Sequence, residues 1–562
     1  MRRIPVLLLA MLILATGAAL TPAQAVMDDT ILVSRAGGFG PKGDAGSIRP
    51  AISADGRYIA FDSPATNLDP DDADTTRDIF RRDLVADTTI LISRASGAAG
   101  TKSNGTSFTT SISADGRFVA FQSTASNLHP DDLDTDGDIF VRDTASNTTT
   151  LASRATGTAG PKGDGISISP SISADGRYVA FRSSSTNLDP DDGDGTIDIF
   201  VRDLFTKTTT LVSRASGIGG AKGRGDDPSI SADGQRVAFS SSATNLHPDD
   251  ADAVGDVFVR DLTSHETILV SRASGASGSK GDQSSFAAMI SGDGTHVVFN
   301  SNASSLDPGD VDNTLDVFVR DLTADTTTLA SRATGGSGTK GNLASFEPAI
   351  SADGRFVTFD SDATNLHPDD VDATGDVYVR DVIEDTTTLA SRASEASGAK
   401  GNGNSTRTTI SADGRFVGFD STATNLNGAD TSGDDDIYVR DILGPQAPPS
   451  LAIDDVKGRE GKTGTTPFTF TVSLDGVPGR TVTVDFATKN KTATVGDDDY
   501  LFTNGTLTFP PGTTTQTIVV DVIGDKKKEK TEVFKALIFN ATGAEIDDHK
   551  GFGTIKNDDR RR

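Results

Sequence analysis

The chain has 562 residues, a formal charge of −28, 58 glycines, six histidines and no cysteine. The missing cysteine excludes disulfides, a lipidated cysteine anchor and thiol catalysis together. So acidic a balance argues against nucleic acid as a partner and suits solubility and divalent cations.

Residues 1–25 carry Arg2 and Arg3, an apolar run over 6–14, and Ala23-Gln24-Ala25. This is the pattern of a secretory signal peptide with its cleavage site. The mature chain is therefore expected to be secreted, extracellular or periplasmic. No later stretch approaches the roughly 18 to 20 apolar residues that a spanning helix needs, so no membrane span is expected.

Over 26–444 the chain repeats itself. The anchor Ile-Ser-x-Asp-Gly begins at Ile52, Ile112, Ile172, Ile230, Ile290, Ile350 and Ile410, a step of 60 residues broken once by a step of 58. Repetition this regular signals one supersecondary unit copied in space. Within a unit the hydrophobic period is 2 and the residues are β-branched or aromatic, as in Tyr178-Val179-Ala180-Phe181 and Ile199-Phe200-Val201. These runs read as strands, and Asp175-Gly176 between two of them reads as a tight hairpin turn.

Each copy thus predicts a four-stranded meander with two apolar faces, which only neighbouring copies can cover. Seven such copies fit a β-propeller. The last copy lacks the Thr-Thr-Thr-Leu strand, and Thr30-Ile31-Leu32-Val33 supplies it from the other end. The N-terminal strand is therefore expected to close the ring and leave no exposed edge. The residues Ser173-Ala174-Asp175-Gly176-Arg177-Tyr178-Val179-Ala180-Phe181, followed by Asp198-Ile199-Phe200-Val201-Arg202-Asp203, resemble the WD40-like repeat of TolB-type propellers.

Two loops per copy emerge on one rim. The first places carboxylates at positions 1, 3 and 7, and its best example is Asp132, Asp134, Asp136 and Asp138. Alternate carboxylates in a tight loop match the opening of calcium loops, and Asx-turns account for the same residues without metal. No copy has the bidentate Glu that completes an EF-hand, so weak affinity is expected. The second loop carries Lys42, Lys102, Lys162, Lys222, Lys280, Lys340 and Lys400. They either neutralise the Asp loops or meet an anionic ligand such as an acidic glycan. The recurrent Arg of Val-Arg-Asp reads as a cross-strand or between-blade ion pair.

Residues 445–449 form a Pro-rich linker and 560–562 a basic tail, and between them 450–559 changes character. Alternating runs at 468–472, 481–486, 505–509, 515–522 and 533–539 fit a seven-stranded Greek-key sandwich. Arg459-Glu460-Gly461, Asp497-Asp498-Asp499-Tyr500, Ile523-Gly524-Asp525 and Ile555-Lys556-Asn557-Asp558-Asp559 resemble a Calx-beta domain. That resemblance implies calcium at one end of the sandwich, on Glu460, Asp499, Asp525, Glu529, Asp558 and Asp559. Lys526, Lys527 and Lys528 stand where the family is commonly acidic and weaken such a site.

The fold class is therefore all-β, a seven-bladed propeller followed by a sandwich. No G-x-S-x-G, H-E-x-x-H or blade-specific cluster of acid, base and nucleophile is present. The expected function is a secreted, non-enzymatic binding or scaffold protein with calcium-stabilised loops, in adhesion or cell-envelope association. Its partner would be an extracellular or envelope protein or glycan. The alternatives are a polysaccharide hydrolase or lyase with its site at the propeller channel, and a periplasmic accessory protein of an envelope complex. An enzyme would show carboxyls converging on the channel mouth from one blade, whereas a binding protein would show a rim of nearly seven-fold symmetry.

Overall fold

A computed structural model describes residues 29–443 and 449–557, apart from 39, 396, 477–481 and 510–512. The expected signal peptide, linker residues 445–448 and the basic tail lie outside the described residues, as do Asp558 and Asp559. Regular structure among the described residues is strand, save one short 3₁₀ turn at Val495–Asp497.

Seven four-stranded antiparallel sheets follow one another between Thr30 and Asp441, as propeller blades do. Sheet 3 shows the plan: Ser167–Ile172, Tyr178–Ser183, Asp198–Asp203 and Thr208–Leu211 pair in chain order. The Asp-Gly signal is a hairpin turn in which Gly176 takes a φ of +73°. Asp175 Oδ1 fixes that turn by accepting from Ser173 Oγ at 2.6 Å and from the Arg177 N–H at 2.9 Å.

The first strands of successive sheets touch one another round a common centre, and sheet 1 (Ile48–Ile52, Tyr58–Ser63, Asp78–Asp83, Thr88–Leu91) touches sheet 7. A cycle of backbone hydrogen bonds runs through the turns. Ala54 donates to Ala114, Ala114 to Ala174, Ala174 to Ala232, Ala232 to Gly292, Asp293 to Ala352, Ala352 to Ala412, and Ala412 back to Ala54 at 3.0 Å. Side chains repeat the cycle, since Tyr58 lies against Gly116, Phe118 against Gly176 and Phe416 against Gly56. A Cβ at Gly56 would run into the Phe416 ring. Sheet 7 takes its outer strand from Thr30–Leu32, with Thr30 opposite Arg440 and Leu32 opposite Tyr438.

Both faces of each sheet are buried, and the core lies between sheets. Ala120, Ile139 and Val141 of sheet 2 pack on Val179, Phe181 and Phe200 of sheet 3. Within each sheet an aromatic pair stacks, as Phe181 and Phe200 do at 6.0 Å. The recurrent Arg forms the expected cross-strand ion pair in some sheets, where Arg82, Arg320 and Arg380 pair with Asp87, Asp325 and Asp385, but not in sheet 3. Arg202 is buried and donates to the carbonyl of Ala155 at 2.8 Å and to Thr209 Oγ1 at 2.9 Å, so it ties the loop of the preceding copy to its own sheet. Asp203 pairs instead with Arg177 at 2.7 Å.

Each inner strand carries a bulge that the sequence does not announce. Arg49, Thr109, Ser169, Asp227, Ala287, Glu347 and Arg407 occupy the same repeat position, and all have φ between +40° and +57°. The pairing register shifts at each of them, for example between Phe346 and Ala349. Left-handed backbone is strained for residues with a Cβ, and here seven-fold pairing holds it in place.

The C-terminal sandwich has sheets of four and five strands, so nine segments stand where seven were expected. The excess arises because two runs change sheet midway. Ser450–Ile453 lies in one sheet and Val456–Arg459 in the other, and Glu545–Asp548 and Lys550–Lys556 divide in the same way. The divided runs pair with each other in parallel. Phe468, Phe470, Val484, Tyr500, Val520 and Phe534 fill the space between the sheets.

Candidate cation sites on the loop rim and the sandwich end

The Asp loop follows the second strand of each sheet and the Lys loop leads to the next, so both open on one rim. The structure joins them in a way composition alone does not dictate. Each lysine reaches back into the Asp loop of the preceding copy and sets its ammonium among the carboxylates. Lys102 Nζ lies 2.6 Å from Asp78, 3.0 Å from Asp74 and 3.4 Å from Asp72. Lys162 stands likewise 2.7 Å from Asp138, 3.1 Å from Asp134 and 3.8 Å from Asp132. The arrangement recurs with Lys222, Lys280, Lys340 and Lys400, and Lys42 closes the cycle on Asp436 at 2.5 Å.

The three carboxylates do different work. The first and last are buried and the middle one is exposed. Asp74 Oδ1 accepts the Thr76 N–H at 2.8 Å, which is the expected Asx-turn. Asp78 does not make one: its Oδ1 accepts from Ser93 Oγ at 2.6 Å, and its other oxygen faces the ammonium. Burial pushes the Asp78 carboxyl up to about 6 despite Lys102 and Ser93. Burial also acts to lower the Lys102 pKa, and the hydrogen bonds to Asp78 and Asp74 overcome it, leaving the ammonium above the usual lysine value.

Asp132, Asp134 and Asp138 come together within 4.8 Å, while Asp136 stays outside that group and is exposed. Neither oxygen of Asp132 has a hydrogen-bond donor, although the residue is wholly buried. Its carboxyl is pushed up to about 7, first by burial and then by Asp138. The donor set fits a hard cation, and in every copy an ammonium of the chain itself already stands there. The rim is thus nearly seven-fold symmetric. The imidazole of His129 fits the same plan: its Nδ1 accepts the Asp131 N–H at 3.2 Å, where Asp69 Oδ1 accepts the Asp71 N–H in sheet 1.

At the sandwich end Glu460 and Asp499 are buried. Glu460 accepts from Asn557 Nδ2 at 3.0 Å, and Asp499 accepts the Thr494 N–H at 2.7 Å. Asp525 Oδ1 accepts the Lys527 N–H at 2.7 Å, and the Lys527 ammonium lies 2.5 Å from Glu529. Sequence reasoning missed two members of this group, Glu532 and Asp497. The Glu532 carboxyl is raised by burial and then by the charges of Asp499, Glu529 and Asp497. A carboxyl raised by its acidic neighbours favours a cation beside it, and the ammonium that pairs with Glu529 belongs to Lys527, whose side chain is 69% exposed. The residues present therefore fit calcium. The adjacent Asp-Asp-Asp and Lys-x-Glu runs had pointed to the place, but only the fold shows that Glu532 turns toward it.

No sequence among the curated proteins matches the chain. Among solved structures it is similar to a TolB-type protein from Agrobacterium tumefaciens, at 17% identity over 51% of this chain and 80% of that one, with a TM-score of 0.31. It is similar to a GH74 xyloglucanase from Xanthomonas campestris at 9% identity over 94% and 87% of the two chains, with a TM-score of 0.33. The apo-form Calx CBD1 domain is 25% identical over 20% of this chain and 99% of its own, with a TM-score of 0.18. Residues 456–558 match the Calx-beta domain family, so the C-terminal segment of this propeller protein is a Calx-beta domain.

Proposed function

We propose that the chain is an exported, non-enzymatic binding or scaffold protein in which a seven-bladed propeller, closed by its N-terminal strand, presents a rim to an extracellular or envelope protein or glycan. The Calx-beta domain takes calcium at the end formed by Asp499, Glu529 and Glu532, with Glu460, Asp525, Asp558 and Asp559 as the further ligands. Support for export comes from residues 1–25, and no helix among the described residues is long and apolar enough to cross a membrane. In the propeller the lysines take the place of calcium. The loops of Asp132, Asp134 and Asp138 and of Asp250, Asp252 and Asp256 are where calcium would compete first, because both oxygens of Asp132 and of Asp250 lack a donor.

The observation that carries this reading is the contrast between the two acidic regions, one holding a largely buried ammonium in every copy and the other only the exposed ammonium of Lys527. Scanning calorimetry of the full chain tests it, because a ligand that binds only the folded state raises the melting temperature. Millimolar calcium against EDTA is expected to move the sandwich transition and leave the propeller transition in place. Asp499→Asn would abolish that shift. A calcium response confined to the propeller would overturn the assignment.

The hydrolase or lyase reading draws on one feature, a break in symmetry among the ionisable groups of the channel mouth. Reducing-end release from soluble polysaccharides, lost in Glu347→Gln, would establish it in place of the binding reading.

A further inference from the structure

One repeat position at the rim end of the second strand holds Asp62, Gln122, Arg182, Ser240, Asn300, Asp360 and Asp420 in turn. It faces the bulge of the inner strand, next to the channel mouth. Five of the seven have clear partners, and Gln122 carries no charge. Asp62 accepts from Arg77 Nη1 at 2.5 Å and Arg182 pairs with Asp226. Ser240 Oγ donates to the Asp226 carbonyl at 3.3 Å and Asn300 Nδ2 to the Ser345 carbonyl at 3.0 Å. Asp420 accepts from Arg407 Nη1 at 2.9 Å and Thr406 Oγ1 at 3.1 Å.

Asp360 differs. It is 5% exposed, and no donor among the described residues reaches its Oδ1. The charges that act on it most strongly are Glu347, Asp420 and Asp362, all acidic. Glu347 is exposed at the bulge of the same sheet, its backbone held at φ +40°. Arg407 feels both Asp420 and Glu347 but spends its hydrogen bond on Asp420. A buried carboxyl surrounded by like charges needs a proton or a cation. Seven times on the rim this chain meets that need with a lysine ammonium, and at Asp360 it supplies none.

We propose that Asp360 and Glu347 form an ammonium site at the channel mouth, completed by a lysine side chain of a basic partner protein. A net charge of −28 draws basic partners toward the protein. The inference rests on the binding reading above and gives it a partner chemistry.

The test is titration calorimetry of the full chain in saturating calcium with the peptide Gly-Gly-Lys-Gly-Gly and its Nε-acetylated form. The unmodified peptide is expected to bind, and the acetylated one at least tenfold more weakly. Because Asp360 gives up its proton to receive the ammonium, the heat at neutral pH should depend on the ionisation enthalpy of the buffer. Glu347→Gln alters an exposed side chain and Asp360→Asn keeps its shape, and each should weaken binding at least tenfold while the calcium response of the sandwich stays unchanged. Equal affinity in these variants and the parent would overturn the proposal, as would tighter binding of a glucosamine oligomer than of the peptide. Loss of peptide binding with no polysaccharide turnover would leave the non-enzymatic reading standing, whereas turnover would remove that reading as well.

Discussion

At the scale of the residue, the lysines of the rim are the least replaceable charges. Lys102→Met keeps the stem but removes the ammonium between Asp72 and Asp78, both buried. Stripping a buried carboxylate of its partner costs about 3–5 kcal/mol. Urea unfolding of the propeller should show a loss of that order, and millimolar calcium should recover part of it in the variant while leaving the parent unchanged. Asp360 sets a second expectation. Burial and then the charge of Glu347 push its carboxyl up to about 8, against 3.8 for an ordinary aspartate. The folded state therefore holds a proton that the unfolded state has released. Its stabilising effect is complete below pH 4 and is lost as pH rises to 8, at about 1.4 kcal/mol per unit. In Asp360→Asn this alkaline decline should flatten, as melting temperatures from pH 4 to 8 would show. That Lys102 and its equivalents neutralise the Asp loops was one reading of the chain, but the triad each one enters and the isolation of Asp360 were not legible there. The rim common to both loops follows from strand parity, but which triad each lysine enters depends on how loops 24 to 30 residues apart are folded together. Asp360 looks like Asp62 and Asp420 in sequence, and only the neighbouring sheet reveals that it has no basic partner.

At the scale of the element, the strands, their Asp-Gly turns and the closing N-terminal strand could all be read from periodicity and turn chemistry. The inner-strand bulges could not, because Thr, Ser, Ala and Glu carry no mark of left-handed backbone. Replacing the strained alanine by glycine relieves the Cβ clash, which is worth roughly 1–2 kcal/mol before the entropy cost of glycine is subtracted. Ala287→Gly should thus raise the melting temperature slightly, whereas Ala288→Gly, one residue on and buried, should lower it. Removing Thr30–Leu32 would uncover the edge of Asp436–Asp441. Open edges pair with other chains, so light scattering should report association of the shortened protein. In the sandwich the strand runs were readable but the change of sheet at Asp454 and Asp455 was not, since pairing partners almost a hundred residues away decide it.

At the scale of the whole molecule, no sheet of the propeller has a core of its own. Every cluster of buried apolar residues straddles two sheets, so a lesion in one place loosens both neighbours. Phe200→Ala, in the interface of sheets 2 and 3, should cost about 3–5 kcal/mol and lower the single melting transition of the whole propeller. A separate early transition for one sheet would contradict that cooperativity. The Calx-beta domain has its own core and should melt independently.

The rim locks bear finally on how such a chain can change over generations. Each carboxylate triad lies inside one 60-residue unit and the lysine that fills it lies at the start of the next, so a unit carries half of a lock at either end. Duplicating or deleting one whole unit leaves every triad with a lysine, and the ring's size can drift without stranding a charge. Recombination between units out of register would leave a triad empty or a lysine unmatched, and the buried charge left without a partner would destabilise the product.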